Sequence, residues 1–146
     1  MEVTRQACLT LHDITNDSQY FEMIQNINAI YESGNFFWLL IETKDVRNIH
    51  LKYLYKFGKF LNNLKTRTPQ LLCYTVIHVY DDFVFNLLYT LFTFISKPIA
   101  KVTVFFYEGG YTSTQNTEER NIKKIKYYYP WYDKRNKKYQ SKNNNN

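Results

Sequence analysis

Residues 36–106 set the terms for any fold this chain can adopt. Apolar runs rich in β-branched and aromatic side chains occupy residues 36–41, 71–80 and 102–106, and each gap between them carries a helical pattern. Strands that alternate with helices are joined by right-handed crossovers and build a parallel sheet. A further run at residues 7–14, with Cys8, Leu9, Leu11 and Ile14, predicts a preceding strand. The expected fold class is a single α/β domain with a mainly parallel four-stranded sheet, in which mixed pairing is admissible. At 146 residues the chain is long enough to bury roughly 68–70% of its unfolded surface.

The helices are marked by their ends as well as their faces. Asn16 followed by Gln19 resembles a capping box, and Tyr20, Ile24, Ile27 and Tyr31 then recur at helical spacing to about residue 32. Gly34 is placed to stop that helix in the left-handed conformation. The strand at 36–41 is apolar on both faces, which predicts a central strand covered on each side. A second helix is predicted from near Asn48, with Leu54, Phe57, Leu61 and Leu64 buried and Lys52, Lys56, Lys59 and Asn63 solvated. Gly58 within it costs roughly 1 kcal/mol of helix propensity relative to Ala and signals a close backbone approach. Asp81 or Asp82 can cap a third helix over residues 83–96. That helix is apolar nearly all round, so it calls for a cover beyond the sheet: the tail, a second copy of the chain or a partner protein.

Beyond Gly109-Gly110 the composition changes. From Arg120 onward nine Lys or Arg residues stand against one acid, a net +8, while the rest carries ten bases and twelve acids, a net −2. Glu118 and Glu119 precede Ile122, Ile125 and the lysines 123, 124 and 126, which predicts a short helix with its charges matched to the dipole. Three regions follow: an α/β body over residues 1–110, a basic aromatic extension over 111–140, and an Asn-rich end over 141–146 that is expected to be disordered.

The order strand, helix, strand, helix, strand, helix, strand, with short links, resembles the STAS domain shared by sulfate transporters and anti-sigma-factor antagonists. The likeness spans residues 9–107 and is one of pattern; within it Ile41-Glu42-Thr43-Lys44-Asp45-Val46-Arg47-Asn48-Ile49 leads from a central strand straight into a helix. The resemblance implies a small regulatory or binding module without catalytic chemistry, recognising a partner protein at the start of the second helix. Arg47, Asn48 and His50 are then the partner-facing residues. The antagonists carry a phosphorylatable Ser or Thr there, whereas this chain has Arg47, Asn48, Ile49 and His50, with Thr43 too early. That departure argues against an ordinary phosphoserine switch.

Elsewhere in the chain, groups that could carry chemistry also have plainer roles. Glu42 and Asp45 follow one strand, Asp81 and Asp82 another, and carboxylates at neighbouring strand ends are a possible Mg²⁺ set. The plainer roles are a helix cap for Asp81 or Asp82 and pairing of Glu42 and Asp45 with Lys44 or Arg47. His12, His50 and His78 are isolated, and no nucleophile elbow accompanies them. No cofactor is expected. His78 alternates with Val76 and Tyr80 and is expected to be a hydrogen-bonded or edge residue. In the extension, Lys123, Lys124, Lys126, Lys134, Arg135, Lys137 and Lys138 flank an aromatic block that includes Trp131. Cations with aromatic faces suit single-stranded nucleic acid or an anionic membrane surface. The alternative is that the aromatic block folds back onto the third helix.

Three function classes result: a protein-interaction module, a nucleic-acid-associated protein working through its tail, and a metal-dependent enzyme. No run reaches the ~18 apolar residues of a membrane span, and the N-terminus lacks the layout of a secretion signal. Cys8 and Cys73 lie in apolar runs and read as buried free thiols, so an intracellular, cytoplasmic setting is expected. Abundant Tyr, Asn, Lys and Ile with scarce Gly and Pro point to an AT-rich coding genome, as in some protists and large DNA viruses. For a virus the setting is the host cytoplasm or the virion.

Overall fold

The computed structural model describes residues 4–109 and 121–130. The chain runs β1 (Arg5–Thr10), α1 (Asp17–Glu32), β2 (Phe37–Glu42), α2 (Leu51–Leu64), β3 (Leu72–Val79), α3 (Asp82–Thr90), β4 (Val102–Tyr107) and β5 (Ile122–Tyr128). Local chemistry accounts for most of these boundaries. Asn16 Oδ1 accepts the Gln19 N–H at 2.9 Å, and Gln19 Oε1 accepts the Thr15 N–H at 2.7 Å, so the box closes one residue ahead of the cap. Gly34 follows α1 with φ +77°, the left-handed turn that glycine adopts without steric cost. Asp81, rather than Asp82, caps α3 by accepting the Val84 N–H at 2.9 Å.

The sheet has five strands in the order β1-β2-β3-β4-β5. The first four are parallel, and β5 pairs antiparallel with β4. The α/β class and the mostly parallel sheet agree with the sequence. The fifth strand, Ile122–Tyr128, is a correction, because Ile122, Ile125 and the lysines 123, 124 and 126 predict a short helix. Ile122 and Ile125 fit a helical period, but Ile125 with Tyr127 and Lys124 with Lys126 and Tyr128 also fit an alternation. The free edge of β4, a row of unpaired backbone groups, decides between them. The first strand is also shorter than expected: the chain leaves β1 after Thr10, and Ile14 forms an isolated parallel bridge with Ile49.

Strand order places the helices. When spatial order copies chain order, crossovers of one hand deliver every helix to the same side. One face of the sheet presents Leu9, Leu39, Ile77, Val79, Val104 and Phe106, all buried with residues of α1, α2 and α3. The other face presents Trp38, Leu40, Val76 and Phe105, which belong to neither buried cluster. Covering of β2 on both sides is therefore a second correction: no described element lies over the far face. The cysteines are a third. Both are exposed free thiols, Cys8 because it stands opposite Leu40 on the uncovered face, and Cys73 because it falls where β3 shifts register against β2.

The third helix ends earlier than expected. After Thr90 the chain takes a wider, π-type turn over Leu91–Ile95, with the Ser96 N–H donating to Leu91 O at 2.8 Å. Val84, Leu91 and Phe92 are buried, while Phe83, Tyr89 and Phe94 stay exposed. Tyr128 of β5 packs on Phe92 with ring centres 5.2 Å apart, so one ring of the aromatic block does reach this segment. No helix among the described residues is long and apolar enough to cross a membrane.

Gly58 meets the expectation of a close approach. A Cβ built there would lie 2.5 Å from Ile95 Cγ2, a methyl fixed to a stiff β-branched carbon. Gly58→Ala should therefore destabilise the fold by about 1–3 kcal/mol, against the roughly 1 kcal/mol that propensity alone would add. Urea denaturation of the two chains measures the sign.

Candidate functional site

The loop from β2 to α2 forms a ledge at the carboxyl ends of the strands. Asp13 holds it from outside: its Oδ1 accepts the N–H groups of Arg47 at 2.5 Å and Asn48 at 3.0 Å. Those two backbone bonds keep the Asp13 carboxyl below the usual carboxylate range. The Ile14 N–H donates to Asn48 O and the His50 N–H to Ile14 O, both at 3.0 Å, so the ledge is sewn to the chain after β1. Arg47, Asn48 and His50 are all exposed on this fixed backbone. The Arg47 Nη1 group turns back onto Lys44 O and Val46 O at 2.8 and 3.1 Å. His50 stacks on Tyr53, whose hydroxyl donates to Asp17 at 2.8 Å. Thr43 is buried and donates to His78 O at 2.7 Å, so its hydroxyl is not presented at the ledge.

The four acids lie at the expected strand ends but in different company. Glu42 Oε2 accepts from the Tyr80 hydroxyl at 2.9 Å and lies 3.5 Å from His78 Nδ1, in the central strand of the sheet. Burial raises the Glu42 pKa, but the bonds from His78 and Tyr80, the His78 charge and the Lys44 N–H outweigh it and hold the carboxyl below its ordinary value. Asp45 lies 3.9 Å from His12, both well exposed. Of the partners expected for Glu42, Lys44 meets it through the backbone, its N–H donating to Glu42 Oε1 at 3.2 Å. Asp81 is spent on its cap, and Asp81 and Asp82 border an open depression with Glu108 and Lys123. Among the described residues no group of three or more His, Cys, Asp or Glu is placed to hold a metal ion.

The uncovered sheet face is the larger surface. Trp38 and Tyr74 stack across β2 and β3, with ring centres 5.2 Å apart and planes 11° apart. His78 meets Phe105 and Tyr107 edge to face, and Tyr107 stacks on Tyr80. Antiparallel pairing of Phe105 with Ile125 and Thr103 with Tyr127 adds those β5 side chains to the same face. On the opposite side the lysines of β5 lie over rings: Lys124 over Phe85 and Lys126 over Tyr128, at 4.8 and 5.6 Å. Lys123 lies 5.0 Å from the Phe106 ring centre. Trp131, Lys134, Arg135, Lys137 and Lys138 fall outside the described residues.

Between sheet and helices an apolar cavity of about 120 Å³ is lined by core side chains such as Met23, Ile27, Leu39 and Phe57. The chain matches no family model, no curated protein and no solved structure.

Sequence reasoning overlooked Asp13, the Tyr80 hydroxyl and the open face. Only the alternation of Tyr74, Val76, His78 and Tyr80, amphipathic and aromatic, hinted that one side of β3 was not core.

The Glu42 contact has a definite pH signature. Its folded pKa lies below the ordinary 4.5, so its stabilising effect is complete above that value and is lost as pH falls through the lowered folded one. Urea melts at pH 7 and in steps below pH 4.5 should show wild type losing its advantage over Glu42→Gln only in the acid range.

Proposed function

We propose that this chain is a non-catalytic regulatory or protein-interaction module of STAS-like layout, with Arg47, Asn48 and His50 as its partner-facing edge. The observation that carries this reading is the grip of Asp13 on the ledge backbone. It presents one cation and two polar side chains from a pre-formed loop, which lowers the ordering cost of binding. The engagement of Glu42 with Tyr80 and of Asp81 with its helix supports acids that hold the fold rather than acids that perform chemistry. Affinity capture should yield a protein that, once purified and added back, binds wild type at least tenfold more tightly than Arg47→Glu or His50→Ala. A partner that binds the folded variants as tightly as wild type would move the edge elsewhere.

A second reading, nucleic-acid association, is favoured by Lys101, whose Nζ lies 4.8 Å and 5.8 Å from the exposed rings of Tyr127 and Tyr129. A cation interleaved with free aromatic faces suits an unpaired base and its phosphate. On this reading Lys101→Glu weakens a salt-sensitive gel shift of single-stranded DNA or RNA. A chain that gives no shift at 50 mM salt rules it out.

A further inference from the structure

Between the sheet and its helices the packing is incomplete. The buried side chains form two groups, and Leu11, Ile41, Ile49, Phe57 and Ile99 pack against both. All five line the cavity of about 120 Å³, and none of them is fully buried. Ile41 pairs in register with Leu9 and Ile77, which are 6% and 2% exposed, yet it keeps accessible surface of its own. On α2, Phe57 does the same between the buried Leu54 and Leu61. Protein interiors leave few voids larger than a water molecule, so a gap of this size calls for an occupant. We propose that the cavity holds the hydrocarbon chain of a fatty acid, with the carboxylate at Lys65 and Lys97. This site is separate from the Arg47 edge and stands or falls without it.

The wall decides the chemistry. Among the described residues that line it, none has a charged or amide side chain. The hydroxyls of Tyr31, Thr43 and Tyr53 are taken up by Gln70, His78 O and Asp17. Thr75 adds one more hydroxyl, short of the roughly two to four partners that ordered water needs. The space is therefore dry and takes apolar matter. Its shape selects a chain over a ring. Phe37, Leu39, Ile41 and Thr43 line it in succession, a wall about 20 Å long at the usual rise per strand residue. A volume of about 120 Å³ drawn out over that length is narrow.

The head group is selected at the strand starts. Leu64, Leu72, Pro98 and Ile99 line that end of the cavity, with Leu72 and Ile99 only partly buried. Lys65 and Lys97 are the chain neighbours of Leu64 and Pro98. Lys65 is itself partly buried, and its Nζ donates to two neutral groups, Asn62 Oδ1 at 3.1 Å and Ser96 Oγ at 3.2 Å. Among the described residues no acid pairs with either lysine. Burial, and then the Lys97 charge, hold Lys65 below the usual lysine range. Two neighbouring cations without a counter-ion, one of them partly desolvated, suit a carboxylate at the end of an apolar passage.

The test uses the full chain and decanoate, whose extended chain is shorter than the wall. Titration calorimetry should give a single site, and methyl-selective NMR should show contacts from the decanoate chain to Ile41 and Ile77. Ile41→Phe, which fills the gap, should weaken binding at least tenfold with an unchanged circular dichroism spectrum. Lys97→Glu, at an exposed position, should do the same while leaving the weaker binding of decanol unchanged. Should Ile41→Phe fail to fold, the NMR contacts of the wild type decide the same point. No binding of decanoate at millimolar concentration overturns the proposal. So does binding whose NMR contacts fall outside the cavity, or binding that Lys97→Glu leaves as tight as before. Decanol held as tightly as decanoate by the wild type also overturns it, since the lysines would then contribute nothing.

Discussion

Every helix among the described residues lies on one side of the sheet, and the strand order leaves no alternative. Four parallel strands stand in space as they stand in the chain, so crossovers of one hand return to the same face each time. The helix-facing side chains, from Leu9 on β1 to Phe106 on β4, form the buried core with Tyr31, Tyr53, Leu61 and Phe92. The alternate residues on the same strands mix apolar side chains such as Trp38, Leu40, Val76 and Phe105 with Gln6, Glu42, His78 and Thr103, and no described helix meets them. A buried core and a sheet face that no described helix meets are two halves of one topology.

What was legible in the sequence was local. The Asn16–Gln19 cap, the left-handed Gly34, the close approach at Gly58 and the Asp81 cap are contacts written in spacings of a few residues or in the conformational freedom of one. The strand–helix alternation was legible for the same reason. Which face of β2 is covered was not, because that depends on the order in which distant strands pair. The identity of Ile122–Tyr128 was not legible either, since its residues satisfy both periods and the free edge of β4 arbitrates. Asp13 illustrates the limit for the site: nothing about a lone acid between His12 and Ile14 announces that it will accept amides 34 and 35 positions later.

The polar contacts divide by where they sit. At the ledge, one carboxylate gathers two amides and fixes a loop on which Arg47, Asn48 and His50 are exposed. At the end of β2, the half-buried Glu42 is held by a tyrosine hydroxyl and a histidine from the next strand, so the same kind of group joins strands instead of presenting a surface. Sequence alone puts both acids near strand ends; only the direction of the side chains separates a contact that positions from one that ties.

A sheet laid down in chain order suits growth from one end. As the polypeptide leaves the ribosome, each new strand finds its neighbour already formed, and no later segment must be threaded between earlier ones. The edge of β4 is the exception, since it waits for β5 across the intervening residues 108–121. During synthesis that border is the sticky one, and the lysines at 123, 124 and 126 travel with the strand that seals it.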